Sequence, residues 1–112
     1  MSDCLFCKIL AGDIPSEKVF EDEQVYVFKD ISPKASVHLL VVPKIHIDSL
    51  DELNTEHEAL ITHIMLALPK LARSQGLKDG FRTIINTGPG GGQEVGHLHI
   101  HILGGDNMRS FN

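Results

Sequence analysis

Short apolar runs alternate with polar turns in the first part of the chain. Residues 19–21 and 25–29 flank the acidic turn Glu21-Asp22-Glu23, and their Val, Phe and Tyr content predicts two strands. The run 38–43, His-Leu-Leu-Val-Val-Pro, is apolar from its second residue onward. A continuous apolar run of this length is typical of an interior strand, so we expect it to lie between two other strands.

The clearest helix is predicted between Thr55 and Gly76. Thr55 and Glu58 have the spacing of a capping box, and Gly76 offers a C-terminal stop. Pro69 interrupts this segment and removes one backbone hydrogen bond, which predicts a bend. The apolar residues recur with a helical period and predict one buried stripe, formed by Ile61, Ile64, Met65, Leu68 and Ala72.

The remaining elements lie at the two ends of the chain. A short helical turn is predicted over residues 5–12, ended by Gly12. Strands are predicted at residues 81–87 and 97–103, with the glycine-rich loop 88–96 between them. The order of strands, helix and strands predicts an α+β fold with an antiparallel sheet covered by one long helix, and not a βαβ nucleotide fold.

Composition limits both the size and the partners of the protein. A chain of 112 residues with 42% hydrophobic content fits one domain over residues 1–112, with a CxxC helix at 4–12, a histidine strand at 97–103 and a tail at 106–112. Its net charge of −5 lacks the basic footprint of a nucleic-acid-binding protein. Without a membrane-length apolar run or a signal-peptide pattern, we expect a cytoplasmic protein whose two cysteines are thiols or metal ligands.

Histidine and apolar residues alternate between positions 97 and 103. Successive side chains of a strand point to opposite faces, so His97, His99 and His101 should share one face, with Cα atoms about 6.7 Å apart. Leu98, Ile100 and Ile102 should then face the core. A row of imidazoles suits either a metal site or nucleophilic and proton-transfer chemistry near neutral pH. A solvated polar face that is rich in histidine is the alternative.

The glycine-rich loop 88–96 leads directly into this row. It is not a P-loop, because no Gly-Lys-Ser/Thr sequence ends it and a strand follows it. Glycines allow backbone amides to approach an anion closely. The arrangement therefore favours a phosphate held for attack by one of the histidines, and a flexible connection between strands is the alternative.

The segment Gly92–Gly105 places His-x-His-x-His among apolar residues after a Gly-Gln pair, and it resembles the signature of the histidine triad nucleotide-binding family. The resemblance continues upstream in family order through Leu5–Ile9, Ile14-Pro15, Phe28–Pro33, His38, Val42–Lys44 and Ile85-Asn86. The Leu103-Gly-Gly105 ending is similar to the small dimeric phosphoramidase branch, because dinucleoside polyphosphate hydrolases usually continue into Pro-Arg. The resemblance implies a purine nucleoside phosphoramidase, and a homodimer whose two sheets join.

The resemblance also implies roles for individual residues. His99 would attack the α-phosphorus and form a covalent nucleotidyl-histidine that water then cleaves. His101 and His38 match histidines that contact the phosphate or orient the triad, and His97 completes the predicted catalytic set. Asp30 would accept hydrogen bonds from the ribose hydroxyls, and Asn86 would contact ribose and phosphate. Apolar walls around the base are implied for Phe6, Ile9, Phe28 and Ile31, and further nucleotide contacts for Gln93, Glu94 and Val95.

A second possible site begins at Cys4-x-x-Cys7. A single CxxC pair is a weak zinc signal, and two buried thiols are the alternative. Relatives that keep both cysteines pair them with histidines matching His46 and His97, which implies a structural Cys₂His₂ zinc site. No catalytic metal is implied, because a histidine makes the first attack.

Three positions differ from many relatives, and two other functions stay open. Many relatives carry serine at Glu94, although others have glutamate like this chain, and an aromatic residue at Gly96 and arginine at Asp106 are common. The first alternative function is dinucleoside polyphosphate hydrolysis. The second is an AMP- or GMP-binding regulatory or scaffolding dimer with incidental catalysis. A module that only binds zinc would leave His99 unexplained. His57 and His63 are expected to be ordinary surface residues.

Overall fold

The computed structural model describes residues 4–106 and Met108, and the predicted tail 106–112 otherwise lies outside the described residues. Two α-helices and five strands follow one another along the chain. They are α1 (Leu5–Leu10), β1 (Lys18–Glu21), β2 (Val25–Lys29), β3 (Val37–Pro43), α2 (Glu58–Ser74), β4 (Arg82–Ile84) and β5 (Ile100–Gly104). Within the described part of the chain, no helix is long and apolar enough to cross a membrane.

The five strands form one antiparallel sheet in the order β1-β2-β3-β5-β4. The predicted α+β fold with an antiparallel sheet and one long helix is confirmed. The apolar run at residues 38–43 lies in β3, the central strand, as its composition predicted. In the ladder between β3 and β5, His101 lies opposite Leu40 and His38 lies opposite Leu103.

Both faces of β3 are buried, and they belong to two different clusters. Leu39 and Val41 pack with the buried residues of α2, while Leu40 and Val42 pack against Phe6 of α1. Directly opposed residues in a ladder project to the same face. His101 and His38 therefore lie on the α1 face of the sheet, whereas Ile100 and Ile102 are buried in the α2 face.

The start of α2 differs from the prediction. The capping box is formed by Asn54 and His57, not by Thr55 and Glu58. The Asn54 side chain accepts the N–H of Glu56, and His57 Nδ1 accepts the N–H of Asn54 at 3.1 Å. The expectation that His57 is an ordinary surface residue is therefore wrong. The helix ends before Gly76, whose φ is +84°, as predicted.

The buried stripe of α2 is rotated from the predicted one. Ile64, Leu68 and Ala72 are buried as expected, but Met65 is 42% exposed. Leu60 and Leu71 are buried instead. The helix is not interrupted at Pro69 and continues to Ser74, because a proline costs one hydrogen bond that packing of the apolar face can outweigh. His63, also expected as a plain surface residue, lies 2.7 Å from the Asp22 carboxylate in the β1–β2 turn.

The last two strands are shorter than predicted. The strand expected from His97 begins at Ile100, because the N–H of Leu98 donates to the Ile47 carbonyl at 2.7 Å, outside the sheet. The strand expected over residues 81–87 is limited to Arg82–Ile84. Ile84 lies opposite His101, and the register leaves only Ile100 of β5 beyond this pair, so β4 ends within one residue of the start of β5.

Candidate active site

A pocket of about 670 Å³ opens on the α1 face of the sheet. This volume suits a small organic ligand such as a mononucleotide. Most of the predicted nucleotide-site residues line the pocket, namely Phe6, Ile9, Phe28, Asp30, Ile31, His38, Asn86, Glu94, Val95, His99 and His101. Gln93 and His97 do not. The pocket is also lined by Lys34, Leu40, Arg82 and Leu103, to which the sequence assigned no role in a site.

One end of the pocket is apolar. Phe6 and Phe28 meet edge to face with ring centroids 5.6 Å apart, and Ile9 packs in the same buried cluster. Ile31 is 93% exposed, so its side chain stands at the rim of the pocket and not in the core. Such an apolar slot with one open edge can hold a flat heteroaromatic base.

His99 lies at the inner end of this slot. Its ring meets Phe6 edge to face at 5.0 Å, and its Nδ1 lies 2.7 Å from the His97 carbonyl oxygen. A carbonyl can only accept, so Nδ1 carries the proton and Nε2 carries the lone pair. Nε2 has no partner among the described residues, and those residues contain no buried unpaired side-chain nitrogen. The Nε2 lone pair is therefore accessible from the pocket.

A backbone N–H determines which ring nitrogen of His38, and then of His101, carries the proton. The main-chain N–H of Lys34 donates to His38 Nδ1 at 3.1 Å, so the neutral His38 ring carries its proton on Nε2. That Nε2–H donates to His101 Nδ1 at 2.9 Å. His101 consequently carries its own proton on Nε2, which has no partner among the described residues and opens into the pocket.

Burial keeps these rings neutral. Desolvation, reinforced by the neighbouring His99 and His38, lowers the pKa of His101 to about 4. Desolvation also lowers the pKa of His38, against the opposing effect of the Asp30 carboxylate. The pocket therefore presents Nε2 of His99, which bears the lone pair in the neutral ring, beside an N–H on His101 Nε2, with ring centroids 5.0 Å apart. One is suited to attack phosphorus and the other to donate a hydrogen bond to a phosphoryl oxygen.

The other predicted polar contacts have different roles. One carboxylate oxygen of Asp30 accepts the N–H of Ser32 at 2.8 Å, and the other lies 3.5 Å from His38 Nε2. Asn86 donates to the Gly91 carbonyl and so holds the glycine-rich loop closed. Glu94 is exposed at the pocket wall and has no hydrogen bond or ion pair with the described residues.

Gln93 braces the loop from behind the pocket. Its side-chain amide donates to the carbonyls of Asp48 and Val95 and accepts the N–H of Gly88. Several backbone N–H groups of the loop, which the sequence analysis expected to bind phosphate, instead donate hydrogen bonds within the loop. The N–H groups of residues 91–93 bond to the carbonyls of Gly88 and Pro89.

A separate cluster joins α1 to the start of the histidine strand. Ligand atoms of Cys4, Cys7, His46 and His97 all lie within 4.8 Å of one another. His97 Nδ1 lies 3.4 Å from Cys4 Sγ and 3.6 Å from Cys7 Sγ, and His46 Nδ1 lies 3.2 Å from Cys7 Sγ. The donor set, two thiols and two imidazoles, is one that tetrahedral zinc takes in structural sites.

The tautomers of this cluster also fit a metal. His97 donates its Nε2–H to the Pro43 carbonyl at 2.9 Å, and His46 donates its Nε2–H to the Asp48 carboxylate at 2.7 Å. Both Nδ1 lone pairs are thereby directed to the thiols, with the outer hydrogen bonds that metal-bound histidines usually have. The group formed by Asp30, His38 and His101 does not meet this requirement, because His38 Nε2 carries a proton.

Known proteins are similar to this chain over most of its length. Residues 3–112 match the family described as "Scavenger mRNA decapping enzyme C-term binding". Protein HitA of Neisseria gonorrhoeae is 55% identical over 104 residues, which covers 93% of this chain and 97% of that protein.

Two solved structures are similar in fold and sequence. A HIT family hydrolase from Legionella pneumophila has a TM-score of 0.91 and 45% identity, and 96% of each chain is covered. A histidine triad protein from Clostridium difficile has a TM-score of 0.92 and 46% identity, covering 100% of this chain and 98% of that one. These similarities, with the fold and the motif His97-x-His99-x-His101, establish that the chain belongs to the histidine triad (HIT) family.

Proposed function

We propose that the protein is a nucleotide hydrolase, specifically a purine nucleoside phosphoramidase that cleaves the P–N bond at the α-phosphorus. The observation that carries the proposal is the pairing of an accessible lone pair on His99 Nε2 with an N–H on His101 Nε2 in one pocket. The similar structures from Legionella pneumophila and Clostridium thermocellum, both named HIT family hydrolases, support the reaction class.

The reaction proceeds in two displacements. The substrate nitrogen takes a proton from solvent, His99 Nε2 attacks the α-phosphorus, and the P–N bond breaks with its electron pair leaving on the neutral amine. Water then attacks the phosphorus of the nucleotidyl-histidine, releasing the nucleotide and the free ring. The water that acts in the second displacement returns one proton to solvent. The His97 carbonyl accepts from Nδ1–H of His99 and stabilises the positive charge that the ring acquires. His101 Nε2–H donates to the charge that develops on the phosphoryl oxygens.

The substrate fits the pocket from its apolar end to its histidines. The base would lie in the slot formed by Phe6, Ile9 and Phe28, with Ile31 at the open edge. Asp30 would accept from the ribose hydroxyls, since one of its carboxylate oxygens has no N–H donor. The phosphate would then lie beside His99 and His101, which both line the same pocket.

A structural zinc ion and a second subunit belong to the same proposal. The zinc would be held by Cys4, Cys7, His46 and His97. It would thereby join α1 to His97, two residues before His99. The homodimer would extend the sheet from one subunit into the other. The edge strand β4 has unpaired backbone N–H and C=O groups that could pair with another strand, because it pairs only with β5 in the described part of the chain.

The test is the release of AMP from adenosine 5′-phosphoramidate. His99→Ala is expected to lower kcat at least about 1,000-fold while AMP still binds by calorimetry. His63→Ala is the matched control, because His63 lies on α2 away from the pocket. A wild-type protein that binds AMP tightly and releases none from the phosphoramidate would favour the regulatory nucleotide-binding dimer.

A further inference from the structure

The loop between β2 and β3 carries a donor whose direction cannot be reversed. A main-chain N–H can only donate, and the one of Lys34 is directed at His38 Nδ1 at 3.1 Å. The loop is braced independently of this bond, because Ser32 N–H donates to Asp30 and Lys34 Nζ donates to the Ser32 carbonyl. The position of the Lys34 amide is therefore set by its own loop.

Two consequences follow for the rings beyond it. His38 cannot hold a proton on Nδ1 without facing the Lys34 N–H, so its proton stays on Nε2. His101 cannot hold a proton on Nδ1 without facing the His38 Nε2–H at 2.9 Å. The imidazolium form of either ring would place two donors against each other. The chain thus keeps His101 as a neutral ring with its donor, Nε2–H, directed into the pocket.

We propose that the main-chain N–H of Lys34 is a positioning group for hydrolysis, which fixes the tautomers of His38 and His101 and so presents His101 Nε2–H to the phosphate. This inference rests on the function proposed above, because it concerns the donor that the phosphate meets. It assigns a role to a backbone group outside the histidine triad. The Lys34 side chain contributes only by bracing the loop through its hydrogen bond to the Ser32 carbonyl, and Lys34→Ala measures that contribution separately.

The first experiment reads the ring nitrogens directly. Two-dimensional proton–nitrogen NMR of the full-length protein with ¹⁵N-labelled histidine distinguishes a protonated from an unprotonated ring nitrogen. At pH 7, Nδ1 of both His38 and His101 is expected to be unprotonated, and Nε2 of both to be protonated. A proton on His38 Nδ1 would overturn the inference.

The second experiment removes the donor. Lys34→Ala keeps the N–H and removes the side chain, so it is the control for Lys34→Pro, which has no N–H. Relative to the control, Lys34→Pro is expected to mix the tautomers of both rings. It should also lower kcat for adenosine 5′-phosphoramidate about 10- to 100-fold, with KM changed less than about twofold.

A backbone ester at position 34 covers the case in which proline disturbs the loop. The α-hydroxy analogue of alanine replaces only the N–H by oxygen and is compared with Lys34→Ala. Unchanged ring nitrogen signals and unchanged kcat in the ester would overturn the inference. The tautomer measurement does not use turnover, so a protein that releases no AMP contradicts the proposed function and not the assigned protons.

Discussion

The carbonyl oxygen of His97 accepts a hydrogen bond from His99 Nδ1 at 2.7 Å, while the ring of His97 lies in the thiol cluster. One residue thus contacts both the candidate nucleophile and the candidate zinc site. Its ring is completely buried and is held from the other side by the Pro43 carbonyl. We therefore expect that loss of the contacts that hold the His97 ring would disturb the carbonyl that orients His99.

Removal of the two thiols tests this connection. Cys4→Ser with Cys7→Ser is expected to reduce the zinc content from one ion per chain to none and to lower the Tm by about 10 °C. Because His99 itself is retained, kcat/KM should fall less than in His99→Ala. Metal analysis, a thermal scan and the phosphoramidate assay measure the three effects.

Lys8→Ser is the control for this prediction, since Lys8 lies on the same helix and contributes no ligand. It should keep both zinc and Tm. A wild-type protein that is purified without metal and is as stable as a zinc-loaded sample would contradict the structural zinc site.

The burial of His101 predicts how its charge depends on pH. With a folded pKa of about 4, the ring stays neutral between pH 8 and pH 5, so its NMR signals should not titrate in that range. In the unfolded chain, histidine has a pKa of about 6.5. Between about pH 4 and pH 6.5 the unfolded state therefore binds more protons than the folded state.

The sign of the stability change follows from this difference. The contribution of the neutral His101 ring to the free energy of unfolding should be complete above about pH 6.5. It should be lost progressively as the pH is lowered towards 4. Urea unfolding at pH 7 and pH 5 measures the loss, and His101→Asn should make it smaller. An NMR titration of His101 with a midpoint near 6.5 in the folded protein would contradict the prediction.

Alternation along the histidine strand was sufficient to predict which side chains share a face. Leu98, Ile100 and Ile102 are buried beneath α2, and the rings of His99 and His101 contact each other on the opposite face. This succeeds because the face of a strand residue is a local property with a period of two. The interior position of β3 was predictable for a similar reason, because a strand buried on both faces of the sheet has a continuous apolar sequence.

Features that depend on distant backbone groups could not be predicted. No sequence pattern indicates that the Lys34 amide reaches His38, or that the Ile47 carbonyl takes the Leu98 N–H and so shortens β5. The exposure of Met65 is similar, because the helical period fixes the spacing of a buried stripe and tertiary packing fixes its rotation.

Close packing at Gly104, the last residue of β5, predicts that a side chain added there destabilises the protein and that a second substitution restores stability. A Cβ added at Gly104 would lie 2.7 Å from Cδ1 of the buried Leu77. Gly104→Ala should therefore lower the free energy of unfolding by about 1–3 kcal/mol. In a double-mutant cycle, Leu77→Ala should remove most of this cost, because it removes the colliding methyl groups. Strictly additive effects of the two substitutions would show that the collision is not the cause.

Glu94 predicts a preference for the charge of the leaving group. Its carboxylate is exposed at the wall of the pocket and is not neutralised by any described residue. A carboxylate there repels a phosphate but attracts a cationic amine, and two unit charges about 4 Å apart in water interact by about 1 kcal/mol. Glu94→Gln should therefore lower the ratio of kcat/KM for a cationic amine conjugate of AMP over a neutral one by about fivefold.

The two substrates should share the adenosine moiety, the P–N bond and the length of the amine, so that only the distal charge differs. Glu56→Gln is the matched control, because Glu56 is an exposed carboxylate that does not line the pocket. High salt should reduce the preference of the wild type and leave that of Glu94→Gln unchanged, since an exposed charge is screened. Equal ratios for wild type and Glu94→Gln would show that the carboxylate turns away from the leaving group.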